Sequence, residues 1–211
     1  MDQSAHAASV FNELANKYQD RFMHFELYND TFDLFCDNIP KPNAEILELA
    51  CGPGNITKYL LSKRPDFNIL GTDLAPNMIE LAKANNPSAI FQIMDCRAVS
   101  TIDKKYDSVM IGFCLPYLDK EETEKLIADT SKILNEGGIV YLSTMEAPYS
   151  KSGPEKSSAG HEIYMHYYMA DDLVVMLESN DFEIISLQRK DFLQNDGSTT
   201  KDIILIAKRS Y

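Results

Sequence analysis

Gly52 and Gly54 stand just after a short apolar run, Ala44 to Ala50, and Asp73 closes the next such run, Phe67 to Asp73. A glycine turn lets bare backbone come close to a ligand, because no Cβ obstructs the approach. A carboxylate at the following strand end can accept hydrogen bonds from both hydroxyls of a ribose, and an ionised acceptor makes stronger bonds than a neutral one. Between them Ile56, Tyr59 and Leu60 recur at helical spacing, so the two groups are one strand–helix–strand excursion apart. Both then fall on the same edge of a βαβ unit, where parallel sheets bind nucleoside-type ligands.

Two nucleoside cofactors fit such a unit. A nicotinamide site favours a third glycine that packs the helix under a pyrophosphate, and here Thr57 stands in that place. S-adenosylmethionine carries no phosphate and ends in an amino acid zwitterion, so an acid at the first strand end attracts its ammonium and would repel a pyrophosphate. Glu48 is that acid. The residues favour S-adenosylmethionine and leave NAD as a weaker alternative.

Five stretches carry a family resemblance. They are Glu48-Leu-Ala-Cys-Gly52-Pro-Gly54-Asn55, Gly71-Thr-Asp73-Leu-Ala-Pro76-Asn-Met78, Met94-Asp95-Cys96, Tyr106-Asp107-Ser-Val-Met-Ile-Gly-Phe113 and Leu134-Asn-Glu-Gly137-Gly138. In this order and spacing the chain resembles the class I S-adenosylmethionine-dependent methyltransferases of small molecules, from about residue 10 to the C-terminus. The resemblance implies that Glu48, Gly52 and Gly54 line the methionine and sulfonium end of the cofactor. It gives Asp73 the ribose, and Asp95, with Cys96 beside it, the adenine amino group. Leu74 and Met78 would cover the adenine, Phe113 would lie near the transferable methyl, and Tyr18 would reach the cofactor carboxylate. Each has a plainer reading: Tyr18 and Met78 also fit helix packing, and Asp95 also fits a turn. The chain departs from the pattern at Ala50, at Ala75, where a capping serine is frequent, and at Pro116-Tyr117, where histidine is often found.

The implied reaction is methyl transfer to an O, N or C atom of a small metabolite, leaving S-adenosylhomocysteine. A noncatalytic S-adenosylmethionine-binding sensor or partner subunit would keep the same cofactor residues, and an NAD-type oxidoreductase stands third. No metal is expected. The four cysteines, Cys36, Cys51, Cys96 and Cys114, show no Cys-x-x-Cys spacing, which fits free thiols in a reducing compartment. A formal net charge of −12 with only short basic pairs disfavours nucleic acid as a partner. The Met1 to Ser9 segment has no basic start followed by an apolar run, and no apolar run approaches the ~20 residues of a membrane span. The expectation is a cytoplasmic protein without a membrane segment.

The elements that must position these residues alternate. With 45% hydrophobic content over 211 residues, one domain, 1–211, can bury a full core. Apolar spacing predicts a helix over Phe11 to Phe25 within a helical segment 1–40. Strands are predicted over Ala89 to Met94, Tyr106 to Gly112 and Ile139 to Met145, followed by a hairpin of Phe182 to Arg189 and Asp202 to Lys208 turning at Asn195-Asp196-Gly197. A capped helix opening at Asp119 buries Leu126, Ile127, Ile133 and Leu134 and is expected to stop at Gly137-Gly138. The fold class is α/β, a single Rossmann-like doubly wound sheet of seven mostly parallel strands with an antiparallel last strand; the resemblance implies the order 3-2-1-4-5-7-6. Residues 146–169 read by composition as a loop, a possible lid over the site. Within it His161 and His166 are candidate general bases.

Overall fold

Alternation along β1 (Glu45–Leu49) explains the layering of the chain. Leu47 and Leu49 join the hydrophobic cluster on one face of the sheet and Ile46 joins the cluster on the other, because successive strand residues point to opposite sides. All three are fully buried, so helices must cover both faces. The computed structural model describes residues 2–156, 160–194 and 197–210.

In chain order the elements are helices α1 (Gln3–Glu13), α2 (Ala15–Phe22) and α3 (Asn29–Asp37), then β1, α4 (Asn55–Lys63), β2 (Asn68–Asp73), α5 (Pro76–Asn85), β3 (Ile90–Ile93), β4 (Tyr106–Gly112), α6 (Lys120–Ile133), β5 (Leu134–Met145), β6 (Gly153–Lys156), β7 (Glu162–Met165), α7 (Ala170–Glu178), β8 (Phe182–Leu193) and β9 (Thr199–Arg209). The main sheet has the order β3-β2-β1-β4-β5-β9-β8. Its first five strands pair in parallel, and β9 pairs antiparallel with both β5 and β8. With β8 and β9 as the sixth and seventh strands of the sheet, this is the expected order. The predicted turn residues Asn195 and Asp196 lie outside the described residues.

Three local expectations differ from the structure. The N-terminal stripe is two helices, broken at Leu14 with ψ near 10°, and the first begins at Gln3, capped by the Asp2 side chain on the Ala5 amide. Helix α6 has the capping box expected at Asp119 and Glu122, but it ends at Ile133, and Leu134 already belongs to β5. Gly137 and Gly138 lie in an irregularity of that strand, between the pairs Tyr106↔Leu134 and Ser108↔Ile139. A Cβ on Gly138 would sit 2.9 Å from the Asn135 carbonyl oxygen, so the glycines serve a tight strand bend and not a helix stop.

The third difference is the interval 146–169. It holds the hairpin β6–β7, paired from Gly153↔Met165 to Lys156↔Glu162. Gly153 and Pro154 are poor strand formers, which is why composition suggested a loop; tertiary packing of Ile163 against Ala7 and Val10 of α1 supplies what propensity lacks. No described helix is long and apolar enough to cross a membrane.

Candidate functional site

A cleft opens where β1, β2, β3 and β4 end together. Its floor is built from the first residues beyond each strand: Ala50 and Gly52 after β1, Leu74 after Asp73 of β2, Asp95 and Cys96 after β3, Phe113 after β4. Ala50 and Phe113 both hold φ of +53°, a left-handed conformation that is unfavourable for residues with a Cβ and tends to collect at functional turns. Gly52 shares it at +53°, and a Cβ built there would point at the Tyr18 ring, 3.6 Å away.

Asp73 is held in place from two sides. The Gly52 amide donates to its Oδ2 at 2.9 Å and the Ala75 amide to its Oδ1 at 2.8 Å. Burial pushes its carboxyl above the usual range, against the lowering effect of these amides. Ala75 needs no capping side chain of its own, because the Asn77 amide that such a side chain would serve donates to Asn12 Oδ1 at 2.8 Å. Two carboxylate oxygens offer about four lone-pair sites, so positions remain for ligand hydroxyls.

Asp95 also lines the cleft, with its charge matched by Arg97. The guanidinium donates to both Asp95 oxygens at 2.7–3.1 Å, and also to Asp2 and Glu122 at 2.8 Å. This shared arginine joins the loop after β3 to the start of α1 and to α6. Leu74 and Met78 border the same end of the cleft, and Met78 packs with Ala15 and Ala75 as well.

Glu48 and Gly54 stand behind the cleft. Glu48 is 1% exposed and accepts a short hydrogen bond from the Thr57 hydroxyl, while its Oε1 has no partner. Burial pushes its carboxyl up to about 8. Thr57, in the position of a third glycine, is thus the residue that engages this acid. A Cβ on Gly54 would meet Asn86 Nδ2 at 2.4 Å, and the Asn86 amide donates to the Gly54 carbonyl at 2.9 Å. Gly54 is required by packing between α4 and α5.

The roof is α1, which sequence reading did not assign to the site. Ser4, Ala7, Ala8 and Phe11 face the cleft, with Tyr18 from α2 and Tyr117 after β4. Phe11 packs edge-on against Tyr117 at 5.0 Å and Tyr18 at 5.9 Å. The helix is fastened by Ser4 Oγ to the Tyr117 carbonyl at 2.6 Å and by paired Asn77–Asn12 bonds at 2.8 Å. Its signal in the sequence was an Asp2 cap followed by Ala7, Val10 and Leu14 at helical spacing. Burial lifts the Tyr18 phenol to about 12.

The two histidines are elsewhere. His161 Nε2 lies 3.5 Å from Glu13 Oε1 at the far end of α1. His166 is buried between Tyr149 and Tyr164, with ring separations of 6.0 and 4.8 Å, and burial lowers its pKa. Neither lines the cleft; the β6–β7 hairpin packs through Ile163 against Ala7 and Val10 of α1. Among the described residues that line the cleft there is no lysine, arginine or histidine.

The fold has known counterparts. Residues 46–138 match the methyltransferase domain family. Magnesium protoporphyrin IX methyltransferase from Synechocystis PCC 6803, solved with bound S-adenosylmethionine, is similar with a TM-score of 0.73 and 17% identity over 100% of this chain and 98% of that one. The fold is that of the class I S-adenosylmethionine-dependent methyltransferases. Within this methyltransferase fold, a putative methyltransferase, 235L, of Invertebrate iridescent virus 6 is 33% identical over 100 residues, 47% of this chain and 37% of its own. An uncharacterized methyltransferase of Alkaliphilus oremlandii is 29% identical over 147 residues, 64% of this chain and 66% of its own. The chain spans less than two thirds of the length of these two relatives.

Proposed function

We propose that this chain transfers the methyl group of S-adenosylmethionine to an O, N or C atom of a small, neutral and largely apolar acceptor, releasing S-adenosylhomocysteine. The observation that carries the reading is the cleft's lining: Asp73 at the nucleoside end, held by the Gly52 and Ala75 amides with acceptor positions to spare, and no cation among the described lining residues. Such a lining fits a sulfonium and an ammonium and disfavours a pyrophosphate, which weighs against NAD.

When bound there, the cofactor supplies a methyl already activated on sulfur. Asp73 would accept from the ribose hydroxyls, and Asp95 from the adenine amino group. Gly52 would bring backbone beside the methionine portion, with Tyr18 over it; Leu74 and Met78 would cover the adenine. Phe113, Phe11 and Tyr117 form an aromatic wall at the remaining side, suited to orienting an acceptor and excluding water. Positioning alone is worth up to ~7–11 kcal/mol in favourable cases. The phenols of Tyr18 and Tyr117 are pushed up by burial and so favour hydrogen bonding over proton abstraction. With no imidazole or amine in the described lining, the acceptor would release its own proton to solvent.

The acceptor class follows from the same lining. A polycarboxylate or a phosphorylated metabolite would enter without a counter-charge, which is costly in a half-closed cleft. Phenols, quinols and other neutral rings would meet the aromatic wall. The test is conversion of S-adenosylmethionine to S-adenosylhomocysteine with two acceptor panels, neutral aromatics and polyanions. Turnover confined to polyanions would reject the acceptor class, and none with any acceptor despite tight cofactor binding would favour a noncatalytic binding protein.

A further inference from the structure

Cys96 and Cys114 meet inside the cofactor cleft. Cys96 follows the adenine-side acid Asp95, and Cys114 follows Phe113 on the aromatic side; both line the cleft. The Cys114 thiol donates to the Cys96 sulfur with the two sulfurs 3.3 Å apart. Both are free thiols, Cys114 buried and Cys96 partly exposed. Cys36 and Cys51, the other free cysteines, do not line it. Separate strands deliver the pair, since the loop after β3 carries one sulfur and the turn after β4 the other.

We propose that Cys96 and Cys114 are a reversible oxidation site at which a peroxide closes a disulfide across the cleft and turns cofactor binding off. The effect on cofactor rests on the methyltransferase reading of the site; the cross-link itself does not. The Cys96 sulfur, with access through the cleft, attacks the peroxide: an S–O bond forms, the O–O bond breaks, and Cys96 becomes a sulfenic acid as the first water or alcohol leaves. The Cys114 sulfur then attacks Cys96; the S–S bond forms, the S–O bond breaks, and hydroxide leaves with the Cys114 proton as water. Two thiols have lost two electrons and the peroxide has gained them.

The order of events follows from the geometry. Cys114 is the proton donor of the pair, and that bond, with burial, holds its thiol well above the ordinary range, which suits a resolving partner more than a first nucleophile. Closing from 3.3 Å to a disulfide length of about 2.05 Å draws the Asp95 loop toward Phe113. Both strand-end turns line the cleft that the cofactor would occupy, so a shift of one toward the other changes the shape of that cleft. Reduction by a dithiol restores both thiols and the opening.

The test treats the reduced full-length protein with hydrogen peroxide, with and without S-adenosylhomocysteine, and follows intact mass, peptide linkage and binding by calorimetry. The expected result is loss of two hydrogens, mapping to a Cys96–Cys114 peptide pair. Affinity for S-adenosylhomocysteine should fall by at least about tenfold and be restored by dithiothreitol, and bound ligand should slow the cross-link. In Cys114→Ala the same treatment should leave a Cys96 sulfenic acid that dimedone captures. Absence of the cross-link, or a cross-link that leaves affinity unchanged, overturns the proposal. Reduced protein that fails to bind S-adenosylhomocysteine overturns the cofactor reading, and the switch with it, whatever the mass spectrum shows.

Discussion

The Gly52 amide donates to Asp73 Oδ2 at 2.9 Å, so the carboxylate proposed to hold the ribose ties the turn after β1 to the turn after β2. Asp73→Asn keeps a carbonyl acceptor for one of its two backbone partners and removes the charge. Affinity for S-adenosylhomocysteine should fall by about 1.5–3 kcal/mol, the range for a hydrogen bond to a charged group. Asp73→Ala should also lower the melting temperature, because the Gly52 and Ala75 amides lose their acceptor. Calorimetry and thermal melts separate the two effects; wild-type affinity in Asp73→Asn would place the ribose elsewhere.

Glu48 should make stability fall as pH rises. Its carboxyl is pushed from 4.5 up to about 8 by burial. Below 4.5 both folded and unfolded chains hold the proton, and the folded state bears no penalty. Between these values the unfolded chain ionises first, so stability is lost progressively as pH climbs toward 8, on the order of a few kcal/mol. Asp202, buried against Tyr28 and raised from 3.8 to about 6, adds the same sign at lower pH. Urea unfolding of Glu48→Gln, whose carbonyl can still accept from Thr57, should show a flatter profile than wild type between pH 6 and 8. An identical profile would mean that Glu48 is ionised in the fold.

Turnover should not depend on an imidazole. His161→Ala and His166→Phe, the latter retaining an aromatic ring between Tyr149 and Tyr164, should keep kcat and the shape of its pH profile. Loss of an inflection in either variant would return a histidine to the chemistry.

Phe11 tests the roof. Phe11→Ala removes edge contacts to Tyr117 and Tyr18, each such pair being worth about 0.5–1.5 kcal/mol. Because Phe11 is only half-buried, the fold should survive while acceptor KM rises and kcat falls more than cofactor affinity. Equal losses in all three would indicate general loosening of α1.

The parallel half of the sheet was legible because its signals are local: short apolar runs, a glycine turn after the first, and an acid at or near the end of each of the first three strands. Asp73, Asp95, Gly52, Leu74, Met78, Phe113, Cys96 and Tyr18 are all brought to one cleft. Glu48 and Gly54 carry equally clear signals, yet burial sends one behind the turn and packing against Asn86 explains the other. What the sequence hid depends on distant contacts. The role of α1 as a roof rests on Ser4 reaching Tyr117 and Asp2 reaching Arg97, partners that no spacing rule connects. The β6–β7 hairpin depends on Ile163 meeting α1, and Cys96 and Cys114 become neighbours only because the turns after β3 and β4, strands that are not adjacent in the sheet, meet beyond its edge.

Equilibrium binding of S-adenosylhomocysteine and of NAD to the reduced protein distinguishes the two nucleoside cofactors. One tight site for S-adenosylhomocysteine, weakened in Asp73→Asn, and no measurable NAD binding are expected. Saturable binding of NAD with none of S-adenosylhomocysteine would contradict S-adenosylmethionine as the cofactor.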